Sequence, residues 1–439
     1  MLRAHSISLI SALMLVNCAD SVTSEPESSW SGGGDGKADI YGEDSRREVN
    51  DPSVPDQVRS RARSVALVFN TQSIFDVTEE NVLFSGFTLN DKVTRDTGAP
   101  LCEEEAFSKQ PAPGYCTAFL IAPDLVATAG HCINGHTRCE QMGFAFDYAK
   151  KSASEETRLV DQNNFYRCEE LIGRVYNPRE EPEALASREY WYDWAVIRLN
   201  RPVLDRDPVQ LMEGERLKRG DALHVLGHPM GIAMKLTEGR VVTDDKDRYM
   251  NSDVDIYQGN SGSPVFDTET GAVHGIVIRG SGGNSFEITR EGCSRSKHCD
   301  QVGDPECIGN HLLRVDPLRV FTQGELKVVE RHSLVEDDTS TPGYRHSFVF
   351  EGETRVSFTT LHINAGAQDS TKLRVILHHD GQSVTMMNHP VNLPYGRWTA
   401  STEEFAGQKL GGEWIIEVID DGGARVFVEW AQVMVGVRE

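Results

Sequence analysis

The sequence TAGHC at residues 128–132 places His131 directly after a short apolar strand. A histidine fixed at the end of a strand is well placed to act as a general base. Asp193 opens the apolar sequence DWAVIRL, where a carboxylate can select the tautomer of an imidazole. In GNSGSP (residues 259–264), glycines let backbone N–H groups point toward the oxygen that becomes negative when Ser261 attacks a carbonyl. Together the three motifs indicate a serine nucleophile, a histidine base and an orienting acid.

The strands around these motifs are short and are separated by glycine and proline. From about residue 40 to residue 321 this pattern predicts an all-β unit of paired barrels. The clearest apolar runs lie at residues 65–69, 117–121, 194–199, 222–226, 241–242 and 275–278.

The three motifs resemble those of the chymotrypsin-like, or trypsin-like, serine endopeptidases, and the resemblance covers roughly residues 40–325. Their order, His then Asp then Ser, differs from the order in subtilisins and α/β-hydrolases. The resemblance implies two six-stranded antiparallel β-barrels. It also implies that His131 takes the proton of Ser261 and that Asp193 orients His131. The N–H groups of Gly259 and Ser261 would hold the oxyanion.

Two more sequences, GHPMG (residues 227–231) and IYGEDSR (residues 40–46), place the resemblance closest to the bacterial glutamyl-endopeptidase-like branch. The family pattern selects Ser261 over Ser263 as the nucleophile. Asn260 stands where animal trypsins have the aspartate that pairs with a newly cut N-terminal amine. An amide cannot form that ion pair, so we do not expect zymogen triggering by that route. Cleavage near the start of IYGEDSR, as in the bacterial branch, stays open.

Four residues are candidates for the specificity pocket. Asp255 lies where trypsins keep the acid that binds Arg or Lys side chains, so its burial predicts cleavage after a basic residue. The alternative is that a local hydrogen-bond partner satisfies Asp255, which then braces the loop. Val277, Arg279 and Gly280 form the expected pocket wall. The glutamyl branch has a histidine at the place of Val277, so glutamyl preference loses its main support, and Arg279 either attracts an acidic residue or is an exposed rim charge.

The chain has nine cysteines. Without Cys18, which belongs to the N-terminal signal, eight remain and can form four disulfides, which indicates an oxidising compartment. By resemblance to the histidine-loop bridge of the family, we expect Cys116 to pair with Cys132. The alternative is a zinc site, although the spacing of the nearby ligands fits no usual zinc pattern. Those ligands are Cys293, His298, Cys299 and Cys307.

Residues 7–16 form an apolar stretch that has the length of a secretory signal and is too short to cross a bilayer. The following LVNC (residues 15–18) resembles the lipobox of bacterial lipoproteins, although Asn17 stands where that pattern has a small residue. One outcome is lipidation of Cys18 and a membrane tether. The other is ordinary cleavage and free release. Both predict an exported protein, extracellular or held as a lipoprotein at the outer surface or in the periplasm.

The sequence predicts five segments along the chain. They are a signal peptide (1–18), a flexible tether or short propeptide (19–39), a protease domain (40–332), a linker (333–343) and a second β-unit (344–437). We expect a helix over residues 316–330 to close the protease domain. The last unit resembles the P domain, a jelly roll of proprotein convertases, in WIIEVIDDGG and VEW. That resemblance implies a β-sandwich.

The formal net charge of −23 disfavours nucleic acid as a partner. We expect protein or peptide substrates, with no cofactor and no metal, and the sequence leaves the oligomeric state open. Two hypotheses follow. One is a secreted or surface-tethered serine endopeptidase that works through an acyl-enzyme on Ser261. The other is a non-catalytic adhesion or binding protein on a protease-like scaffold, and the complete His, Asp and Ser set favours the first.

Overall fold

The structure is a computed structural model. It describes residues 40–133, 138–151, 158–176, 193–244, 248–280, 285–300, 302, 307, 309–322, 326–334, 343–367, 372–388, 395–423 and 425–438. The expected signal peptide, Cys18 and the segment 19–39 lie outside these residues. Among the described residues, no helix combines the length and the apolar character that crossing a membrane requires.

Short strands make up most of the described chain. The strands before the C-terminal unit are β1 (Ile40–Tyr41), β2 (Arg47–Glu48), β3 (Val65–Asn70), β4 (Ile74–Val77), β5 (Asn81–Phe84), β6 (Gly114–Ala122), β7 (Leu125–Thr128), β8 (Met142–Phe146), β9 (Leu159–Asp161), β10 (Phe165–Tyr176), β11 (Asp193–Leu199), β12 (Ala222–Gly227), β13 (Lys235–Thr243), β14 (Tyr249–Ser252), β15 (Pro264–Asp267), β16 (Val273–Arg279), β17 (Phe286–Ile288), β18 (Ser294–Ser296), β19 (His298–Cys299) and β20 (Asn310–Arg314). The C-terminal strands are β21 (Leu326–Leu334), β22 (Gly343–Phe350), β23 (Arg355–Ala367), β24 (Leu373–His379), β25 (Gln382–Asn388), β26 (Tyr395–Thr402), β27 (Gly412–Asp420) and β28 (Val426–Arg438).

The helices are α1 (Asp56–Ala62), α2 (Leu89–Thr97) and α3 (Arg319–Thr322). Local signals bound α2. Thr88 and Asp91 form a reciprocal capping box at its start, and Gly98 adopts a left-handed conformation (φ 82°) at its end. Short 3₁₀ turns cover Thr71–Ser73, Gly130–Cys132, Cys139–Gln141, Gln162–Asn164, Pro229–Gly231 and Asp316–Leu318.

Two antiparallel β-barrels form the N-terminal part. The first closes in the order β10-β11-β7-β6-β3-β8. The second runs β12-β15-β16-β20-β14-β13, and pairing of β12 with β13 closes it, while β2 extends the sheet beyond β13. Barrel strands such as β3 (VALVFN) are buried along nearly their whole length because neighbouring elements cover their outer faces. The two six-stranded barrels confirm the predicted fold.

The C-terminal unit consists of two four-stranded sheets, ordered β21-β28-β23-β26 and β22-β27-β24-β25. Apolar residues of both sheets share one core, in which Trp414 and Phe405 are fully buried. The alternation read from the sequence decides which residues enter this core. Leu373, Val375 and Leu377 of β24 are all buried, because successive residues of a strand face opposite sides of its sheet.

The boundary between the barrels and the C-terminal unit differs from the expected one. Strand β21 pairs with β28 along its whole length, from Leu326 opposite Arg438 to Leu334 opposite Trp430. Residues 326–334 therefore belong to the sandwich, whereas the sequence suggested a barrel domain reaching residue 332. The closing helix ends at Thr322 for the same reason, since nine residues of ladder pairing outweigh the helical spacing of the apolar residues.

The sandwich packs directly on the first barrel. The hydroxyl of Thr360 donates a hydrogen bond to the carbonyl oxygen of Ile172 on β10 at 3.0 Å. The N–H of Arg174 on the same strand donates to the hydroxyl of Ser401 on β26 at 2.8 Å. The two hydroxyls are themselves 2.7 Å apart. Strand β10 thus pairs with β11, and its backbone at Ile172 and Arg174 also forms hydrogen bonds with the sandwich.

An aromatic series continues this contact. The ring centroids of Trp194 and Phe321 are 5.6 Å apart, and those of Phe321 and Phe358 are 4.6 Å apart. Trp194 belongs to the first barrel and Phe358 to strand β23 of the sandwich, yet both lie in one hydrophobic cluster. The barrel and the sandwich therefore share a core.

Eight cysteines form four disulfides, which confirms that part of the sequence analysis. The bridges are Cys102–Cys293, Cys116–Cys132, Cys139–Cys168 and Cys299–Cys307. The Cys116–Cys132 bridge joins β6 to the turn that carries His131, as the family resemblance implied. The sulfurs considered for zinc are all engaged in bridges, so none of them is a free thiolate.

Two buried histidines support the second barrel. His224 is 2% exposed and stacks on Phe266 with ring centroids 5.1 Å apart. His228 of GHPMG is fully buried, and its Nδ1 donates to the carbonyl oxygen of Ile232 at 3.0 Å. Burial lowers the pKa of His224 to about 4 and that of His228 to about 3. Both imidazoles are therefore neutral in the folded protein near neutral pH.

We predict that acid destabilises the protein through these histidines. Unfolded histidines bind protons below their ordinary pKa of 6.5, whereas folded His224 resists protonation down to about 4. Stability present above pH 6.5 is thus lost as the pH falls toward 4, by about 2 kcal/mol per histidine at pH 5. Denaturant unfolding at pH 7.5, 6 and 5 measures this loss. His224→Gln should flatten the pH dependence, and an unchanged slope in this variant would contradict the assignment.

A second prediction concerns the shared core. Phe358→Ala should destabilise the protein by about 3–5 kcal/mol, because it leaves a cavity against Phe321 where barrel and sandwich meet. The matched control is Phe75→Ala, since the side chain of Phe75 is 75% exposed. Calorimetry should show the barrels and the sandwich of Phe358→Ala unfolding together at a lower temperature. Equal behaviour of the two variants would show that Phe358 does not join the two units.

Candidate active site

The carboxylate of Asp193 binds His131 at two points. Its Oδ2 lies 2.7 Å from Nδ1 of the ring, and its Oδ1 accepts the backbone N–H of His131 at 2.8 Å. Because a carboxylate only accepts, Nδ1 carries the proton and Nε2 presents its lone pair. Asp193 is 8% exposed, so little water competes for these bonds. The pair has the arrangement of a general base with its orienting acid.

Local geometry brings His131 to this position. It lies in the 3₁₀ turn Gly130–Cys132 at the end of β7. Gly130 is required there, because a Cβ atom would lie 2.3 Å from the carbonyl oxygen of Val175. The Cys116–Cys132 bridge holds the other end of the turn against β6. The turn is therefore fixed on both sides of the histidine.

Arg174 supports the same turn, although no sequence motif pointed to this residue. Its Nε donates to the carbonyl oxygen of Gly130 at 2.7 Å. Burial lowers the pKa of Arg174 to about 10, and the negative charge of Asp193 acts in the opposite direction. The side chain thus carries a positive charge beside the buried Asp193. Arg174 belongs to no motif, because its role depends on the pairing of β10 with β11.

Ser261 lies next to the histidine turn. Its carbonyl oxygen accepts the N–H of Thr117 at 2.8 Å and is 3.8 Å from the sulfur of Cys132, the residue after His131. Two glycines with positive φ, Gly259 (94°) and Gly262 (86°), shape the loop around it. A Cβ at Gly262 would lie 2.1 Å from the carbonyl oxygen of Thr117, so the close approach of the two segments requires glycine.

Two N–H groups of this loop, those of Gly259 and Ser261, belong to peptides whose oxygens are held by hydrogen bonds. The carbonyl oxygen of Gln258 accepts the N–H of Met230, and that of Asn260 accepts the N–H of Ser263 at 2.8 Å. The N–H of a trans peptide points opposite to its C=O. The N–H groups of Gly259 and Ser261 therefore face away from the donors Met230 and Ser263. In the part of the chain that the structure describes, neither donates to a protein acceptor, which suits an oxyanion hole.

Asn260, which directly precedes Ser261 in this loop, is buried with 2% of its surface exposed. Its backbone N–H donates to the carbonyl oxygen of Tyr257 at 2.9 Å. The N–H of Ile40 donates instead to the carbonyl oxygen of Lys297 at 3.1 Å. Residue 40 is thus anchored on the β18–β19 segment.

The carboxylate of Asp255 has three donors, all from the N-terminal segment. Its Oδ1 accepts the N–H of Tyr41, and its Oδ2 accepts both the N–H and the hydroxyl of Ser45, each at 2.7 Å. The residue is 1% exposed. Burial raises its pKa, and the bonds from Ser45 and Tyr41 oppose that rise. These contacts fit the alternative in which local hydrogen-bond partners satisfy Asp255. They do not fit a carboxylate that needs a substrate cation.

A cavity lies beside Ser261. Val277, Arg279 and Gly280 line it, as the sequence suggested for the pocket wall, together with Tyr257 and Gln258. Asp255 does not line it. Behind the cavity, the guanidinium of Arg46 lies 4.4 Å from the ring centroid of Tyr257.

The donor atoms of Cys116, His131 and Cys132 lie within 4.8 Å of one another, a distance that would suit a metal ion. The two sulfurs are bonded to each other, however, and the imidazole binds Asp193. The cluster therefore reflects the bridge beside the histidine and not a donor set for metal.

The sequence matches the family described as the trypsin-like peptidase domain over residues 116–276. No curated protein matches the chain. Among solved structures, the chain is similar to a serine endoprotease from Yersinia pestis, with 16% identity, a TM-score of 0.34 and 62% of this chain covered. The alignment spans 66% of that protein, just under two thirds.

Two other structures are similar at the same level. A Glu endopeptidase shows 16% identity and a TM-score of 0.35, with 64% of this chain and 96% of the other covered. The HtrA-type protease AlgW shows 15% identity and a TM-score of 0.34, with 62% and 71% covered. The family match contains His131, Asp193 and Ser261, and these residues lie at the site described above. Residues 116–276 thus match the trypsin-like peptidase domain.

Proposed function

We propose that the protein is an exported serine endopeptidase that cleaves peptide bonds through an acyl-enzyme on Ser261. The observation that carries this proposal is the double hydrogen bond from His131 to the buried Asp193, next to the loop of Ser261. A histidine held at both its ring and its backbone has one orientation, with Nε2 as the base. The rival hypothesis of a non-catalytic binding protein does not require a fixed orientation of the His131 ring.

The proposed mechanism follows from these positions. Nε2 of His131 takes the hydroxyl proton of Ser261 as Oγ forms a bond to the substrate carbonyl carbon. The carbonyl oxygen becomes negative and accepts the N–H groups of Gly259 and Ser261. The tetrahedral intermediate then breaks its C–N bond, and the imidazolium gives its proton to the leaving amine. Water, deprotonated by the same histidine, releases the acyl group and restores Ser261.

The geometry of Asp255 favours the brace alternative for specificity. A buried carboxylate with three hydrogen-bond donors does not require a substrate cation. Among the described residues that line the cavity beside Ser261, none is anionic, and Arg279 carries a positive charge. We therefore propose that the pocket does not select Arg or Lys before the scissile bond, and that Asp255 attaches the N-terminal segment to the pocket loop.

Export belongs to the proposal as well. The apolar stretch 7–16 and the four disulfides support it, since both suit a protein that folds in an oxidising compartment. Tethering through lipidated Cys18 is the finer form of this proposal, and mass spectrometry of the mature N-terminus distinguishes it from free release. We also propose that the C-terminal sandwich is a P-domain-like module, as the sequence suggested.

We predict that Ser261→Ala abolishes peptidase activity and labelling by a fluorophosphonate probe, with losses of several powers of ten. Asp193→Asn should lower kcat by about 10⁴ through the wrong tautomer of His131. The matched control is Ser263→Ala, because Ser263 lies two residues further on and is fully buried. The Ser263→Ala variant should still be labelled at Ser261. Labelling of the Ser261→Ala variant would show that another nucleophile acts, and an unreactive wild type would support the binding-protein hypothesis.

We also predict that Asp255→Ser lowers activity equally on matched peptides with Arg, Phe or Glu before the scissile bond. Loss of the carboxylate releases Tyr41 and Ser45, so the pocket loop is disturbed for every substrate. Measuring kcat/KM on the three peptides tests this expectation. Selective loss of the Arg peptide would restore Asp255 as the floor of a pocket for basic residues.

A further inference from the structure

Every carbonyl group of the loop from Gln258 to Ser261 has its own donor. The N–H of Met230 binds the oxygen of Gln258, and the N–H of Ser263 binds that of Asn260. The two remaining oxygens, those of Gly259 and Ser261, both bind Thr117. One residue of the first barrel thus holds two of the four peptide planes around the nucleophile.

The hydrogen-bond directions at Thr117 are fixed by its neighbours. The N–H of His228 donates to its hydroxyl oxygen at 3.0 Å, so the hydroxyl proton is free to go elsewhere. That proton goes to the carbonyl oxygen of Gly259 at 2.8 Å. The backbone N–H of Thr117 donates to the oxygen of Ser261 at 2.8 Å. Thr117 is fully buried, so water cannot replace these bonds.

The plane held by the hydroxyl lies between the two planes that form the oxyanion hole. The N–H groups of the hole belong to the peptides 258–259 and 260–261, and the peptide 259–260 joins them. Gly259 has a φ of 94° and no Cβ, so its flanking peptides rotate easily unless their oxygens are held. Release of the middle plane therefore loosens both neighbouring N–H groups.

A second clamp acts on the same loop through Met230. Its N–H holds the oxygen of Gln258, while its own oxygen accepts Nζ of Lys92 at 2.9 Å. Lys92 on α2 also donates to the carbonyl oxygen of Gly114 at 3.0 Å. Met230 adopts a φ of 52°, which is uncommon for a residue with a side chain, so this ammonium helps to keep it in place.

We propose that Thr117 is a positioning residue of the oxyanion hole, which its hydroxyl holds in the active arrangement through the carbonyl of Gly259. The proposal rests on the proposed serine endopeptidase function. Thr117 touches no reacting atom. It belongs to the barrel that carries His131 and Asp193, and it acts on the loop that carries Ser261, so it couples the two halves of the site.

The experiment compares Thr117→Val, which replaces the hydroxyl by a methyl group, with Thr117→Ser, which keeps the hydroxyl. The matched control is Thr360→Val, because Thr360 is also fully buried and its hydroxyl also donates to one carbonyl, that of Ile172. Each full-length variant is assayed for kcat and KM on one peptide and for affinity toward a peptide aldehyde. The aldehyde forms a hemiacetal with Ser261, whose oxyanion needs the hole.

We expect Thr117→Val to lower kcat and aldehyde affinity by about 10-fold to 100-fold, a fraction of the loss seen when an oxyanion donor is deleted. KM should stay within about 2-fold, since ground-state binding does not use the hole. Thr117→Ser should recover most of the loss. Thr360→Val should reduce thermal stability without this selective loss in kcat.

Thr117→Val with wild-type kcat and wild-type aldehyde affinity, and a stability loss like that of Thr360→Val, would overturn the proposal. If Thr117→Val does not fold, Thr117→Ala takes its place, because it also removes the hydroxyl and keeps the backbone N–H that binds Ser261. A kcat-selective loss in Thr117→Ala supports the proposal, and unchanged kcat with unchanged aldehyde affinity refutes it. A wild-type enzyme whose Ser261 does not react with the probe would instead refute the proposed function.

Discussion

Asp193 carries a negative charge at 8% exposure, and a carboxylate at that depth is stable only when hydrogen bonds satisfy its oxygens. His131 supplies both bonds, so burial of the charge and placement of the base depend on each other. Arg174 adds a positive charge nearby and binds the turn through the oxygen of Gly130. Its backbone N–H binds Ser401 of the sandwich. The C-terminal unit therefore contacts the strand that supports the histidine and its acid.

The two barrels divide the site between them. The first carries His131 and Asp193, the proposed base and acid, and the second carries Ser261 and the two N–H groups that we propose bind the oxyanion. Strand β6 joins the halves, because Cys116 is bonded to the residue after His131 and the next residue, Thr117, holds the Ser261 loop. The glycines of that loop permit the close approach but leave the backbone free to rotate. Hydrogen bonds from Thr117 of the first barrel restrict that rotation.

Residues 40–46 also support the site. Ile40 is buried and pairs with β19, and the following residues to Ser45 satisfy the carboxylate of Asp255. Arg46 then lies over the ring of Tyr257, which lines the cavity beside the nucleophile. Here a buried acid links residues 41–45 to the loop that leads into the pocket wall. A carboxylate in the same sequence position can serve a substrate or the fold, and its donors decide which.

The sequence by itself determined the barrels, and it predicted His131, Asp193 and Ser261 as the catalytic residues and Val277 and Arg279 as the pocket wall, because short motifs encode local backbone shape and chemistry. It placed the end of the barrel domain too late, since the ladder of β21 with β28 forms only in the folded chain. It also left the role of Asp255 open. No sequence motif pointed to a role for Thr117 or Arg174 in the site. Thr117 and Gly259 are 142 residues apart in the chain, and only the packing of two barrels brings them within hydrogen-bond distance. Tertiary structure decides such contacts because a buried polar group takes whichever partner the fold places beside it.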